Sequence, residues 1–137
     1  MNRDLARLAV IIIATFGLAL SVWAKRFALT AAHTVPAANG TVDTHVDKNG
    51  NTDVDVKVHD LARPTNLAPP ATAYVVWFQA PGSEAQNEGE LKVDDKLNGE
   101  LKTETQLKTF DLMITAESDP AAKAPSGNQV MNANIQD

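Results

Sequence analysis

The sequence predicts an all-β domain, a seven-stranded immunoglobulin-like antiparallel sandwich, preceded by one transmembrane helix. Three observations carry this expectation. Apolar and polar residues alternate with a period of two from Thr41 onward. Turn residues interrupt that alternation at the spacing of sandwich strands. Leu8 to Ala24 is an unbroken run of 17 residues without a charge, rich in Ile, Leu, Val and Ala.

The apolar run comes first in the chain. A spanning helix needs roughly 20 residues, with about 17 at the short end. Arg7 can snorkel, which extends the usable span back to Leu5. Trp23 stands where an interfacial aromatic belongs, so Arg7, Trp23, Lys25 and Arg26 are expected at the membrane surface. A secretory signal peptide is the competing reading, with Val22-Trp23-Ala24 or Thr30-Ala31-Ala32 as cleavage sites. The run is longer than the usual apolar stretch of about 7–15 residues, and Lys25-Arg26 follows it as a flank that pins a helix end. An uncleaved anchor over 1–26 is therefore the expectation. On a helix, Ala14, Gly17, Ser21 and Ala24 form a stripe of small residues, which lets helix backbones approach closely. Ala and Gly are also simply common in membrane helices.

Residues 27–40 are rich in Ala and Thr, contain Pro36 and Asn39-Gly40, and keep no period; they read as a linker. The domain is then 41–137. Val42, Thr44 and Val46 alternate with Asp43, His45 and Asp47, and Val54, Val56 and Val58 with Asp55, Lys57 and His59. Asn49-Gly50 between them marks a β-hairpin. Placing Val46 opposite Val54 gives a three-residue loop, with His45 facing Asp55 and His59 facing Thr41. Asp60 to Thr72 carries Pro64, Pro69 and Pro70 and reads as a crossover. Ala73–Phe78 is apolar on both faces, as a covered central strand should be. A second hairpin is expected from Leu91 and Val93 through Asn98-Gly99 to Leu101 and Thr103. Phe110, Leu112 and Ile114 alternate in the next strand, Ser118 to Asn128 forms a loop, and Val130–Ile135 supplies the last strand. The expected core is Val42, Val54, Val56, Val58, Leu61, Tyr74, Val76, Phe78, Leu91, Leu101, Phe110, Leu112 and Ile114. A buried Tyr74 requires a partner for its hydroxyl.

Charge bounds the partners. The net charge of −5 divides into +3 over residues 1–26 and −8 over residues 27–137. An acidic body lacks the basic patch that supplies most nucleic-acid affinity, and it disfavours broad adhesion to anionic lipid. Without cysteine there is no disulfide, thiolate metal site or thiol nucleophile.

Tyr74-Val75-Val76-Trp77-Phe78, Gly89-Glu90-Leu91, Phe110 to Glu117, Pro125-Ser126-Gly127 and Val130 together resemble the extracytoplasmic domain of anti-sigma-K-type factors. Those proteins carry a Tyr-x-x-Trp strand, a Gly-Leu-type hairpin, a Phe-x-hydrophobic-x-hydrophobic-Thr-x-Glu strand and a Pro-x-Gly turn. The resemblance covers about residues 73–131 and rests on core and turn residues. It implies an anchored periplasmic sandwich. Such factors bind sigma with a cytoplasmic domain ahead of the helix, where this sequence has seven residues, so that route to a sigma factor is not expected. Small uncharacterised bacterial secreted proteins share the same pattern.

No site chemistry stands out. Asp47 to Asp53 places oxygens at alternate positions as calcium loops do, but the glycine is misplaced for an EF-hand and no Glu closes the loop; a hairpin turn with acidic shoulders is expected instead. His45 and His59 are not cross-strand neighbours, and His33 falls in the linker, so no metal site is expected. Asp94 and Asp95 are adjacent and point to opposite faces of a strand. No phosphate loop, nucleophile elbow or zinc motif is present. The expectation is a non-enzyme without cofactor or small-molecule substrate. It is a single-pass accessory subunit of a bacterial inner-membrane complex, with its C-terminal domain in the periplasm contacting membrane-protein partners. Photosynthetic reaction-centre and light-harvesting assemblies are one kind of complex that recruits one-helix subunits. The alternative is a stand-alone periplasmic sensor or ligand-binding module.

Overall fold

The computed structural model describes residues 24–136. The expected membrane helix lies outside them, and no described helix is long and apolar enough to cross a membrane. The described chain is all-β, with one 3-10 turn at Pro64–Asn66. Its strands are β1 (Lys25–Ala28), β2 (Thr30–Ala31), β3 (Asn39–Val46), β4 (Thr52–His59), β5 (Ala73–Gln79), β6 (Gln86–Leu91), β7 (Gly99–Thr105), β8 (Phe110–Glu117) and β9 (Gln129–Ile135). They form two antiparallel sheets, ordered β1-β3-β4-β7 and β2-β9-β8-β5-β6.

The number of strands corrects the expected seven. Both additional strands lie in or beside the segment read as a linker. Phe27 pairs with Val42 in the first sheet, and Thr30 and Ala31 pair with Asn132 and Met131 in the second. The chain changes sheets at Leu29, which is buried and donates its amide to Gly40 O at 2.9 Å. Val35 and Ala38 follow into the core. Gly40 is required here, because a Cβ would meet Lys57 O at 2.5 Å and Leu29 Cδ1 at 2.8 Å.

The β3–β4 hairpin exists, with its register two residues from the expected one. Val46 faces Thr52, His45 faces Asp53, and His59 faces Asn39. A two-residue shift preserves side-chain parity, so Val42, Thr44, Val54, Val56 and Val58 still share the buried face. Asp47 sets this register: its amide donates to Asn51 O at 2.8 Å, and its Oδ1 accepts the amides of Asn49 at 2.7 Å and Asn51 at 3.0 Å. The loop needs a left-handed residue, supplied by Gly50 at φ 84°.

The expected second hairpin survives only as the Val93–Gly99 bridge across the Asp94–Asn98 turn. Leu91 ends β6 in one sheet and Leu101 lies in β7 of the other. Between them the chain crosses over, touching β7 through the Val93–Gly99 bridge. The loop at the crossing repeats the device of the first: Asp94 Oδ1 accepts the amides of Lys96 and Asn98, both at 2.9 Å, and Leu97 takes φ 64°. Each side of the sandwich is thus closed by a chain that passes from one sheet to the other, which limits exposed strand edges.

Every expected core residue except Leu101 is buried, and Leu101 is half-buried against the same cluster. The Tyr74 hydroxyl donates to Ala62 O at 2.5 Å, and burial pushes its pKa up to about 12. Fully burying a leucine or phenylalanine side chain stabilises by roughly 1.5–3 kcal/mol. Truncation at Ala32 would remove Phe27 and Leu29 along with the β1 and β2 pairings. Unfolding of the shortened chain in urea is expected to show a loss of about 3 kcal/mol or more. An unchanged midpoint would restore the linker reading.

Candidate functional site

The sequence assigned two sets of residues to the membrane. Ala14, Gly17 and Ser21 of the packing stripe, and Arg7 and Trp23 of the interface set, lie outside the described residues. Ala24, Lys25 and Arg26 lie within them. Ala24 is exposed, while Lys25 and Arg26 are the first residues of β1. Lys25 Nζ donates to Gln136 O at 3.4 Å. Arg26 grips Asp43 through two hydrogen bonds of 2.6 and 3.2 Å, and that grip holds the Asp43 carboxyl below the usual carboxylate range. The pair flanking the apolar run is therefore built into the sheet.

The outer face of the β1-β3-β4-β7 sheet carries charge in cross-strand rows, because the alternation that buries the valines turns their neighbours outward. One row is Arg26, Asp43, Asp55 and Lys102; the next is His45, Asp53 and Glu104. Asp43 faces Asp55 directly, so the row carries like charges side by side. Burial and then the nearby Glu100 carboxyl push the Asp55 pKa up, while Glu100, hydrogen-bonded to Asp55, is lowered. The Asp55 Oδ1 is buried without a hydrogen-bond partner among the described residues. An open groove of ≈ 540 Å³ crosses this face, with Ala24, Asp43, His45, Asp55, Lys102 and Glu104 among its walls.

At the hairpin tip, ligand oxygens of Asp47, Asp53 and Glu104 come within 4.8 Å of one another. Asp47–Asp53 is the segment weighed from sequence as a calcium loop and expected to be a hairpin turn instead, and Glu104 is brought in from β7. These oxygens already have protein partners. Asp47 holds the loop amides, Asp53 meets His45 Nε2 at 2.9 Å, and Glu104 accepts from Asn51 Nδ2 at 2.7 Å. The histidines do not converge. His59 lies at the other end of the hairpin with its Nδ1 at 3.0 Å from Asn98 Oδ1, and His33 is exposed between β2 and β3.

Of the residues that carried the family resemblance, Trp77, Thr115, Glu117, Ser126 and Gly127 meet on the outer face of the second sheet, and most of the others face the core. β5 is buried on both faces: Tyr74, Val76 and Phe78 point into the core, and Val75 and Trp77 point the other way. Trp77 Nε1 donates to Thr115 Oγ1 at 2.8 Å, and Thr115 donates to Glu117 Oε1 at 2.6 Å. Glu117, 1% exposed, also accepts from the Ser126 amide at 3.1 Å, the Ser126 hydroxyl at 2.7 Å and the Gly127 amide at 3.2 Å. The Thr-x-Glu spacing puts both side chains on one face of β8. A Cβ at Gly127 would lie 1.6 Å from Ala116 O, so only glycine fits that position. Asn87 fastens the same loop elsewhere, donating to Pro120 O at 3.0 Å and Ala122 O at 2.9 Å. Residues 118–128 are thereby drawn over the sheet and tied at both Glu117 and Asn87.

Burial alone would raise the Glu117 pKa, but the hydrogen bonds from Thr115, Ser126 and Gly127 outweigh it and hold the carboxyl below its usual range. Sequence reasoning recognised Thr115, Glu117 and Pro125–Gly127 as a motif and did not foresee that they bind one another or that Trp77 belongs with them. No family model matches the chain, and no curated protein matches it.

A depressed carboxyl pKa contributes stability that is present above the unfolded value, about 4.3 for Glu, and is lost as pH falls through the lower folded value. Glu117→Gln is expected to cost about 2–3 kcal/mol at neutral pH by leaving buried donors unmatched. The gap to the wild type should narrow as pH drops below about 4. Urea unfolding across that pH range measures it, and a pH-independent gap would contradict an ionised, hydrogen-bonded Glu117.

Proposed function

We propose that the chain is a non-catalytic accessory subunit of a bacterial inner-membrane complex, held by a single span over Leu8–Ala24. In this reading its sandwich, of immunoglobulin-like type, lies in the periplasm against partner subunits. The observation that carries this reading is the seating of Lys25. β1 starts at the residue after the apolar run, and Lys25 is hydrogen-bonded to Gln136 O while Arg26 is locked to Asp43. A domain joined to its span without a spacer keeps a fixed place beside the membrane. That suits a subunit packed against neighbours and not one reaching outward on a flexible arm. The small-residue stripe Ala14, Gly17, Ser21 and Ala24 supplies the face through which the span would pack, and energy-transducing assemblies such as reaction centre–light-harvesting complexes are one setting for it.

The register of β1 also bears on the signal-peptide alternative. Cleavage after Ala32 would remove β1 and β2 from the sheets they complete, whereas cleavage after Ala24 would leave both strands in place. A second functional reading, a periplasmic ligand-binding module akin to anti-sigma-K extracytoplasmic domains, draws on the groove over the charged sheet face.

Mild detergent extraction from native membranes, followed by size exclusion with intact-mass detection, tests the proposal. The expected result is a chain retaining residues 1–24 that migrates with larger partners, with Gly17→Ile/Ser21→Ile shifting it to the monomer position. Migration only as a monomer in its own micelle contradicts the accessory-subunit reading. A mass lacking residues 1–24 contradicts the anchor itself.

A further inference from the structure

We infer that the β3–β4 hairpin tip, centred on Val46 and Lys48, rests in the phospholipid headgroup layer beside the point where the chain leaves the membrane. The inference builds on the proposed span over Leu8–Ala24 and adds to it a second membrane contact made by the folded domain.

Register supplies the geometry. Lys25 pairs with Thr44 in antiparallel fashion, which puts Ala24 beside His45. Ala24 and His45 accordingly wall the same groove. β3 continues past Thr44 to Val46, and the loop Asp47–Asn51 lies beyond it. Two residues of strand advance about 6–7 Å, in the direction that β1 takes when followed back through Ala24. The interfacial layer on each side of the hydrocarbon core is about 5–8 Å thick. With Ala24 at the edge of the core, Val46 and the loop are therefore level with the headgroups.

The chemistry of the tip fits that place. Val46, 37% exposed, is the only large hydrophobic residue among the described residues that is left exposed. It stands at the end of a strand whose other inward residues, Val42 and Thr44, are buried. Lys48 is exposed in the turn that follows. Lys108 donates to Gly50 O and to Thr52 Oγ1, which braces the loop. The tip also carries three acids, each with a protein partner: Asp47 on the loop amides, Asp53 on His45 and Glu104 on Asn51. The occupant we assign is thus the phosphate-bearing surface of the bilayer that the chain itself spans, with Val46 as the apolar foot and Lys48 as the phosphate partner.

The absence of cysteine permits clean single-site labelling. The full-length chain carrying Asn49→Cys at the tip, or Lys96→Cys in the loop at the far end, is labelled with an environment-sensitive fluorophore. Each is reconstituted in phosphatidylcholine vesicles, with and without phosphatidylglycerol, containing a headgroup-borne nitroxide quencher. The label at 49 is expected to be quenched several-fold more than the label at 96, and Val46→Asp should reduce that difference. Quenching in both lipid mixtures supports a contact carried by Val46; quenching confined to the phosphatidylglycerol vesicles supports one carried by Lys48. Equal quenching at 49 and 96 in chains that still float with the vesicles overturns the headgroup contact and leaves the span intact. Failure to float overturns the span, and the inference with it.

Discussion

The constraint on which the second sheet depends is a buried carboxylate. Withdrawing a charge from water costs several kcal/mol unless the protein restores its hydrogen bonds. Glu117 has no basic side chain among its hydrogen-bond partners; its donors are two hydroxyls and two backbone amides. Those donors come from Thr115 on its own strand and from Ser126-Gly127 on the far side of a long loop. Satisfying the carboxylate therefore fixes the path of the loop. The loop in turn covers the face from which Val75 and Trp77 project, and Trp77 closes the chain of donors through Thr115. That β5 is apolar on both faces and Glu117 is buried are two consequences of one arrangement.

The first sheet is governed differently. Its inner face is a plain valine layer contributed by β3 and β4, and its outer face is a solvated grid of acids and bases. What joins it to the second sheet at the N-terminal end is β1. By pairing with β3 from Lys25 onward and then crossing at Leu29 into the second sheet, the N-terminal strands join both sheets and set where the preceding chain meets the domain. The sandwich is stabilised and positioned by the same seven residues.

Much of this was legible in the letters. Strict alternation in β3 and β4 announced a two-faced sheet, and the buried set followed with one half-buried exception at Leu101. The register was not legible, since a shift of two leaves every side chain on its proper face; Asp47, by capturing two loop amides, decides it. The linker reading failed because Phe27, Leu29 and Ala31 do alternate, but over too few residues, beside Pro36 and a run of alanines. The crossing between Leu91 and Leu101 imitated a hairpin because an Asp-x-x-x-Asn loop serves both connections. At the candidate site, Thr115-x-Glu117 and Pro125-Ser126-Gly127 were visible as patterns. Their common purpose was hidden by the 38 residues that separate Trp77 from Thr115 and by the use of backbone amides as donors, which no side-chain motif records.

The most direct measurement of the central claim is the side-chain carboxyl ¹³C shift of Glu117 followed by NMR through an acid titration of the full-length chain in micelles. An ionised carboxylate held by Thr115, Ser126 and Gly127 should keep its charged-state shift down to a pH clearly below the ordinary glutamate value of about 4.3, and lose it only as the loop amides of 126 and 127 lose protection. Titration above that value, with the loop amides undisturbed, would mean that Glu117 is buried neutral and that the hydrogen-bonded carboxylate is not what holds the loop in place.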